Sequence, residues 1–580
     1  MNALPTEEEI RQTAELLVHT YGVKMNSLMK LMGRERYKEL VRVFRDLREP
    51  AADEVRIAQM LIVEKGPYLF AGSSEEVRDL RIHLLRQLSE ERLMALYERN
   101  KVQGKAITSP TYMRTALAKK KWLIGGRWAR DFVTAFDFPL VFSGISIPKD
   151  HSTDAIQDIE PRRAVPKLVE YQVGLKSRML EVLNKEQDKT RCVVTLPTGG
   201  GKTRVAVESF IDWMQPRFEQ GKYMLWIAQG EELCEQAISC ISEMWQEREF
   251  PEALRIYRFF GGKKFEVEDM IGGAVIASIQ QLYSRIQSGD EALEEILANC
   301  GAMIIDEAHH ATAKSYRALF DRARELAGDD LFPICGLTAT PGRSNDETMK
   351  LVDQFDAYLI HPSFPDMKEY NDHPLRYFRK EGYLAEPVFI LHEDGVETEV
   401  TDDLFNQDDH DLSSEFLQIL AADQTRNLQI INYMKSIPEG SSSLVYACTV
   451  QHAEFLAMTM NAIGRKSAVI SADTPKPIRR MHISAFKKGD IEFLFNYGVL
   501  TTGFDAPRTD HLIICRPTSS IILYEQMVGR GLRGHRFGGT ETCKIIDFST
   551  NIRRHGEPLA YARFLKEWDV KVVGGRELVR

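Results

Sequence analysis

A glycine-rich loop in the first half of the chain has the composition of a phosphate-binding turn. Residues 195–203 read TLPTGGGKT, directly after an apolar run and before a helical pattern. Glycines let backbone N–H groups turn toward phosphate oxygens, and the N-terminus of the following helix adds positive potential. This placement predicts that Lys202 contacts the β- and γ-phosphates of a nucleotide and that Thr203 ligates Mg²⁺. Leu196 occupies the first glycine position of the usual GxxxxGK[ST] pattern, so a glycine-rich turn that binds nothing is the alternative.

A pair of adjacent carboxylates follows about a hundred residues later. Asp306 and Glu307 end another apolar run, in the sequence IIDEAH. In a parallel sheet, side chains at the carboxyl ends of strands meet beside the bound phosphate. We therefore expect Asp306 to hold Mg²⁺, usually through water, and Glu307 to orient or deprotonate an attacking water. A helix N-cap is the alternative, and the loop at 195–203 weighs against it.

The segments that position these groups alternate between short β-branched runs and helical patterns. A first series of runs lies between residues 191 and 337, and a second between 443 and 546. This alternation is typical of βαβ crossovers and a parallel sheet, so two successive α/β units are predicted. The polar segment 151–161 indicates a linker before the first unit.

The region before this linker is predicted to be mainly helical. Leucines recur close to the 3.6-residue period over 75–98, after residue types that cap helices, which predicts a helix there. The stretch 101–130 contains eight Lys or Arg residues and no Asp or Glu, together with Tyr112, Trp122 and Trp128. Its possible roles are contact with DNA through phosphates and stacked bases, burial of the tryptophans in a core, or contact with a partner protein.

Composition and cysteine usage exclude several protein classes. With 580 residues, 43% of them hydrophobic and 27% charged, and a net charge of −9, the sequence is neither disordered nor collagen-like. The eight cysteines form no CxxC or CxH pattern, which argues against zinc and predicts reduced thiols in the core. The sequence has no apolar run of about 18 residues and no targeting segment, so we expect a cytoplasmic protein without membrane contact.

The chain resembles superfamily 2 DEAD/DEAH-box helicases of the type III restriction-like group, which is related to bacterial DNA-repair and restriction helicases. The loop at 195–203 and the DEAH sequence at 306–309 are two of its motifs. The other motifs follow in the family's order, at 166–172, 226–237, 277–282, 337–341, 444–452, 500–507 and 526–533. This resemblance implies an α/β fold with two tandem RecA-like parallel-sheet domains preceded by a mainly α-helical N-terminal domain. The implied boundaries are 1–160, 161–380 and 381–580.

The resemblance also implies which residues bind and hydrolyse ATP. Tyr171 and Gln172 look like the element that reads adenine. The other residues carried over for ATP binding are Pro197, Thr198, Gly199, Gly200, Gly201, Lys202, Thr203, Gly503 and Asp505. The catalytic set is Lys202, Asp306, Glu307, Gln526, Arg530 and Arg533, with Mg²⁺ held by Thr203 and Asp306. Arg530 and Arg533 are spaced i, i+3, which predicts that both project from one helix face.

The same resemblance places nucleic acid across both domains, with contacts mostly to phosphates, which suits a chain without net positive charge. Three residues are expected to couple the nucleotide site to these contacts: His309, Thr338 and Thr340. The candidate contacts to nucleic acid are Gln229, Ser278, Gln280, Thr449 and Thr502.

The predicted function is an ATP-dependent DNA helicase or translocase that acts on single-stranded, forked or duplex DNA, in DNA repair, restriction or phage defence. One alternative is an RNA helicase. The other is a motor or ATP-gated sensor subunit of a multi-protein antiphage complex, in which residues 1–160 would bind a separate effector.

Overall fold

A computed structural model of the chain contains two parallel sheets preceded by a group of helices, so the predicted fold class is confirmed. The structure describes residues 5–100, 109–144, 156–159, 167–248, 250, 252–263, 265, 270–327, 332–342, 345–364, 367, 369–391, 412–499, 508–549, 551–568, 572–573 and 576–577.

The N-terminal region consists of helices. Their bounds are α1 (Glu7–Glu15), α2 (Met25–Met32), α3 (Arg34–Asp46), α4 (Glu54–Lys65), α5 (Glu75–Arg86), α6 (Glu90–Arg99), α7 (Pro110–Lys119) and α8 (Arg127–Ala135). The prediction of one helix over 75–98 is wrong, because the segment divides into α5 and α6. Ser74 accepts a hydrogen bond from the Val77 N–H, and Ser89 does the same for the Arg92 N–H. The second serine therefore begins a new helix where the leucine period alone suggests continuation.

The first sheet contains eight strands in the order β1-β4-β5-β3-β6-β7-β2-β8. The strands are β1 (Ile156–Ile159), β2 (Arg191–Thr195), β3 (Tyr223–Ala228), β4 (Leu254–Phe259), β5 (Gly273–Ser278), β6 (Cys300–Asp306), β7 (Ile334–Thr338) and β8 (Leu359–Ile360). The accompanying helices are α9 (Glu170–Leu183), α10 (Lys202–Met214), α11 (Glu231–Gln246), α12 (Ile279–Ser288), α13 (Glu291–Ala298), α14 (Lys314–Ala327), α15 (Asn345–Gln354), α16 (Glu369–Asp372) and α17 (Pro374–Lys380).

Strand β1 lies in the segment that the sequence indicates as a linker. Its backbone pairs antiparallel with β4, whereas the other neighbours in this sheet are parallel. The linker prediction is therefore wrong for residues 156–159. An unpaired edge strand exposes a row of backbone donors and acceptors. Pairing with β1 provides hydrogen-bond partners for the groups along that edge of β4.

The second sheet contains six parallel strands in the order β11-β12-β10-β13-β14-β9. They are β9 (Glu386–Leu391), β10 (Ser443–Tyr446), β11 (Ser467–Ile470), β12 (Phe493–Asn496), β13 (His511–Ile514) and β14 (Thr542–Asp547). The helices are α18 (Ser414–Ala422), α19 (Gln424–Ser436), α20 (Val450–Ala462), α21 (Lys476–Lys488), α22 (Ile521–Gly531), α23 (Asn551–His555) and α24 (Leu565–Trp568). Two short antiparallel strands follow, β15 (Val572–Val573) and β16 (Arg576–Glu577).

The N-terminal helices share one hydrophobic core with the second sheet. Helix α4 packs against α20. The Arg56 guanidinium donates to the Ala462 carbonyl at 2.7 Å, and Arg36 lies between Glu64 and Glu454 at 3.4 and 3.5 Å. The N-terminal helices therefore pack on the second unit as well as on one another. The domain boundaries themselves stay predictions.

None of the eight cysteines forms a disulfide, and all but Cys240 are buried, as expected for core thiols. Among the residues that the structure describes, no helix is both long and apolar enough to cross a membrane.

Candidate active site

The loop that follows β2 requires glycine at two positions. Gly199 and Gly201 have φ values of 85° and 87°, a region that side chains disfavour. A Cβ at Gly201 would also lie 2.5 Å from Nε2 of Gln172. Gly201 is the N-cap of α10, so the loop delivers Lys202 and Thr203 into the first turn of that helix. The Thr195 hydroxyl donates to the Thr338 carbonyl at 2.8 Å, which joins the carboxyl ends of β2 and β7 beside the loop.

Predicted residues from both sheets line one cavity of about 1150 Å³. From the first unit these are Thr198, Gly199, Gly201, Lys202, Thr203, Gln229, Asp306 and Glu307, and from the second they are Gln526, Arg530 and Arg533. Pro197 and Gly200 are buried within the loop. The cavity thus brings the glycine-rich loop together with the predicted carboxylate pair and the predicted arginine pair.

The carboxylates at the end of β6 are placed where a cation would stabilise them. Burial and the neighbouring Glu307 together raise the pKa of Asp306 to about 7, against the opposing charge of Lys202. Burial likewise lowers the pKa of Lys202, although both carboxylates favour its charged form. The hard oxygen donors of Asp306 and Thr203 fit Mg²⁺, which typically takes one or two carboxylates and completes its shell with phosphates and water.

Glu307 has a left-handed backbone, with φ 51° and ψ 53°, which is uncommon for a residue that is not glycine. Its N–H donates to Oδ1 of Asp306 at 3.0 Å. Its carboxylate lies 3.5 Å from Nδ1 of His309. This conformation turns the chain sharply after β6 and keeps both carboxylates at the cavity. The sequence does not predict this left-handed conformation, because position 307 holds neither glycine nor asparagine, the residues that commonly adopt it.

The three predicted coupling residues are in contact. Nδ1 of His309 lies 2.9 Å from the Thr338 hydroxyl, and the Thr340 N–H donates to that hydroxyl at 3.1 Å. All three side chains are buried. A continuous path therefore runs from Glu307 through His309 and Thr338 to Thr340.

Tyr171 and Gln172 lie behind the phosphate loop. The Tyr171 hydroxyl and Nε2 of Gln172 both donate to the Gly200 carbonyl, at 2.9 and 3.2 Å, and Oε1 of Gln172 accepts from the Val169 N–H. Burial raises the pKa of Tyr171. In the described structure neither residue lines the cavity. Both support the loop, and their contact with adenine stays a prediction.

Arg530 and Arg533 do not share a helix face. Helix α22 ends at Gly531, so Arg530 lies in its last turn and Arg533 lies beyond it, in a β-bridge with Leu384. The prediction of one face is wrong because residues 532–534 leave the helix to pair with the chain around Leu384. Both arginines nevertheless reach the cavity.

The candidate contacts to nucleic acid are dispersed. Ser278 and Thr449 are the N-caps of α12 and α20, where they accept from backbone N–H groups at 3.4 and 3.0 Å. Gln280 is exposed, and Nε2 of Gln229 lies 3.4 Å from the Tyr316 hydroxyl. Helix N-termini commonly bind phosphate oxygens. Three predicted residues lie outside the described part of the chain: Thr502, Gly503 and Asp505.

The basic stretch of the N-terminal region places its tryptophans inside. Trp122 and Trp128 are buried, and each packs edge-on against Phe132. The prediction that these two rings stack on bases is therefore wrong, because both tryptophans lie in the core of the helical region. Tyr112 remains 52% exposed. Within residues 109–130, which the structure describes, the exposed basic side chains are Lys119, Lys121, Arg127 and Arg130.

Sequence reasoning missed a second part of the cavity wall. Arg479 of α21 forms an ion pair with Glu232 of α11 at 3.2 Å, across the cleft between the two units. Arg480 and Lys487 of α21 line the same side. The signal that could have shown it is the set of basic residues on the predicted helix after β11.

Comparison with known proteins identifies the same two units. A family model described as type III restriction enzyme, res subunit, matches residues 151–343. A second model, the helicase conserved C-terminal domain, matches residues 425–535. Together the two models account for just over half of the chain.

Two fungal proteins are similar over much of the chain. IRC3 of Saccharomyces cerevisiae, assigned as an ATP-dependent helicase, is 28% identical over 62% of this chain and 49% of its own length. Its namesake in Schizosaccharomyces pombe, assigned as a mitochondrial ATP-dependent helicase, is 26% identical over 68% of this chain and 59% of its own. The chain thus spans about half the length of the curated relatives it matches.

Among solved structures, a fragment assigned as an HsdR subunit of a type I restriction enzyme from Vibrio vulnificus is similar. It covers 69% of this chain and 67% of its own, with 19% identity and a TM-score of 0.49.

Proposed function

We propose that this chain, which belongs to the type III restriction-like group of superfamily 2 helicases, hydrolyses ATP to move on or unwind DNA. One observation carries the proposal. Lys202, Asp306 and Glu307 of the first parallel-sheet unit share a cavity with Arg530 and Arg533 of the second. A phosphate site completed by arginines from another unit is what hydrolysis of a phosphoanhydride requires, because negative charge spreads over the γ-phosphate oxygens in the transition state.

The predicted catalytic side chains in this cavity each have a task in the proposed reaction. The backbone of the loop at 197–203 and Lys202 hold the phosphates. Thr203 and Asp306 would hold Mg²⁺, which neutralises phosphate charge when bound. Glu307 orients the attacking water and accepts its proton, and Arg530 and Arg533 stabilise the charge that develops on the γ-phosphate. Gln526, on α22 beside them, contacts the same phosphate or water.

Because the arginines and the phosphate loop belong to different units, nucleotide binding favours a closed cleft and product release favours an open one. Hinged closure of this kind converts chemical turnover into relative movement of two nucleic-acid-binding surfaces. The N-terminal helices are packed on the second unit, so they are expected to move with it.

DNA is the proposed substrate. The match to a restriction-enzyme subunit family supports it. The helix N-termini at Ser278 and Thr449 and the basic surface at residues 119–130 offer phosphate contacts, which a chain of net charge −9 needs locally. An RNA substrate is the alternative that the experiment below tests.

A second candidate role is a motor subunit that acts with a separate effector in restriction or phage defence. The surface of the N-terminal region favours it, because Leu123 and Leu140 are 60% and 63% exposed and lie on segments joined by a hydrogen bond from the Gly125 N–H to the Ser143 carbonyl. Exposed apolar side chains of this kind are typical of protein-binding sites when they are clustered.

The test is the steady-state ATPase rate of the full chain without nucleic acid and with single-stranded DNA, forked DNA, duplex DNA and RNA. Glu307→Gln provides the blank, because it keeps the shape of the side chain and removes the base. We expect a DNA form to raise the wild-type rate and the variant to show no turnover. Equal rates for the variant and the wild type would refute the assignment of Glu307. Stimulation by RNA alone would indicate that the substrate is RNA and not DNA. No stimulation by any nucleic acid would favour the role as a motor subunit that acts with a separate effector.

A further inference from the structure

The chain crosses from the second unit to the first at residues 559–568, outside the cleft. The segment begins on α22. The Leu559 N–H and Nε of Arg563 both donate to Oε1 of Glu525, each at 3.2 Å. Glu525 is buried, and its pKa is raised by that burial against the opposing charge of Arg563. This end of the segment is therefore fixed at the residue next to Gln526.

The other end of the segment packs on the first unit. The Trp568 indole N–H donates to the Pro341 carbonyl at 2.8 Å. Phe564 fills the space beside Gly342 so closely that any side chain at 342 would overlap its ring. Both aromatic rings belong to the hydrophobic core beneath the first sheet. Tyr561 lies over His361, just after β8, with ring centroids 5.6 Å apart.

Both ends of the segment 559–568 lie close to the cavity, because each contacts a residue next to one of the predicted coupling or catalytic residues. Pro341 directly follows Thr340, which is hydrogen-bonded to Thr338 and through it contacts His309. At the opposite end, Glu525 lies on the helix that carries Gln526 and Arg530. The segment thus connects the loop after β7 to α22 by a route that does not pass through the cleft.

We propose that residues 559–568, here named the brace, are positioning residues that hold α22 against the loop at 339–342 and so align Arg530 with the phosphate loop. This inference rests on the proposed ATPase function. A hydrogen bond from Trp568 and an ion pair to buried Glu525 fix the distance between the two units at one side of the cleft. Closure of the cleft then turns α22 about the brace rather than sliding it, because packed interfaces of this kind have few alternative arrangements.

Matched substitutions separate this role from simple packing. Trp568→Phe keeps an aromatic ring at the site and removes the indole N–H. Arg563→Met removes the positive charge that pairs with Glu525, and Arg563→Lys retains that charge. Lys566→Gln alters an exposed residue of the same helix and serves as the control. We expect Trp568→Phe and Arg563→Met to lower the DNA-stimulated kcat about fivefold, the effect of one missing hydrogen bond or more, with KM for ATP within about twofold. Arg563→Lys restores most of the rate, and Lys566→Gln matches the wild type.

A second measurement does not depend on turnover. Amide hydrogen exchange in the nucleotide-free protein is expected to increase in residues 335–342 and in α22 for Trp568→Phe and Arg563→Met. If the wild type hydrolyses ATP and these variants match it in both kcat and exchange, the brace has no positioning role. Lower thermal stability with an unchanged kcat would assign the segment to packing alone and overturn the proposal. If the wild type does not hydrolyse ATP, the proposed function fails, and increased exchange in the variants would still support the brace.

Discussion

Gly529 of α22 touches Thr198 of the phosphate loop across the cleft, so closely that a Cβ at position 529 would lie 2.5 Å from Cβ of Thr198. Gly529 lies within a helix and its φ is not positive, so its own backbone does not demand glycine. The neighbouring unit excludes a side chain there. The contact brings the helix of Arg530 to the loop that precedes Lys202, and it sets how closely that helix approaches the loop.

Gly529→Ala should therefore reduce turnover without weakening the fold. Alanine favours helix by up to about 1 kcal/mol over glycine, so thermal stability should be unchanged or higher. The added methyl group should hold the two units apart and lower kcat at least about tenfold, because misplacement of catalytic groups by about 1 Å is costly. Steady-state ATPase and thermal unfolding measure both effects.

The control for this prediction is Gly174→Ala in α9, a helical glycine with no atom within 4 Å of its added Cβ. It supplies the same gain in helix propensity without a clash. Equal kcat values for the two variants would show that the cleft does not need the contact at Gly529.

The path from Glu307 through His309 to Thr338 predicts a coupled effect. His309→Ala and Thr338→Val each remove the 2.9 Å contact between the imidazole and the hydroxyl. We expect each to lower the DNA-stimulated ATPase rate about tenfold while the rate without DNA changes less. Because both break the same contact, the double variant should cost little more than either single variant. Additive effects in this double-mutant cycle would show that the residues act separately.

Two histidines with lowered pKa values, buried His452 and half-buried His482, make the second unit sensitive to acid. Burial lowers the pKa of His452 to about 3 and that of His482 to about 4, from an ordinary value of 6.5. His452 is held neutral because its Nδ1 accepts from the Cys448 N–H while Nε2 donates to Asn427. Between these folded values and 6.5 the unfolded chain binds more protons. The contribution of the neutral histidines to the free energy of unfolding is therefore fully present above pH 6.5 and is lost as the pH falls toward 3 or 4.

The expected decrease is about 1.4 kcal/mol per pH unit for each histidine once the pH is below 6.5. Urea unfolding of the wild type and His452→Gln at pH 7.5 and pH 5.5 measures it. Glutamine offers both a donor and an acceptor and has no proton to gain in this range. Between the two pH values, the free energy of unfolding should decrease less for the variant than for the wild type. Equal decreases would show that His452 does not cause the acid sensitivity.

Much of the candidate site could be predicted because its residue types carry their own chemistry. The loop around Lys202 and the carboxylates at Asp306 are short, local patterns at the ends of strands, and the parallel sheet brings them together. The contacts between units could not be predicted in this way. The position of Arg533 outside α22 depends on a bridge to Leu384, nearly 150 residues earlier in the chain.

The N-terminal region shows the same limit. Periodic leucines predict its helices. They do not predict that some of the apolar helix faces pack against the second unit. The break before Ser89 depends on a cap that competes with a continuous leucine period. Burial of Trp122 likewise results from packing with Phe70 and Phe132, which a basic and aromatic composition does not reveal.

The shared core predicts that the N-terminal helices and the second unit unfold together. Arg56→Met removes the hydrogen bond to the Ala462 carbonyl and should destabilise both regions by about 1–3 kcal/mol, because a buried carbonyl loses its charged partner. Arg42→Met, at an exposed position on α3, is the control. Urea unfolding followed by near-UV circular dichroism and by pulsed hydrogen exchange should show one transition for the two regions. Separate transitions would indicate that the N-terminal helices fold as an independent domain.

The basic surface of the N-terminal region predicts a salt-dependent contribution to DNA binding. Lys119 and Lys121 are exposed beside the buried Trp122, and the stretch 109–130 has no acidic residue. Replacing both lysines by glutamine should weaken DNA binding and reduce the slope of log Kd against log salt by about 0.7–0.9 for each lysine that pairs with a phosphate. The kcat at saturating DNA should stay unchanged, because neither lysine lines the cavity that contains Lys202 and Arg530.

Lys24→Gln with Lys30→Gln, two exposed lysines elsewhere on the same helical region, gives a control of equal charge change. Fluorescence anisotropy with labelled DNA at several salt concentrations measures both pairs. If the two double variants bind with the same slope, the effect is one of net charge, and the surface at 119–130 does not touch the phosphates. If only the Lys119 and Lys121 pair changes the slope, the N-terminal helices extend the DNA path of the second unit, because the two share one core and move together.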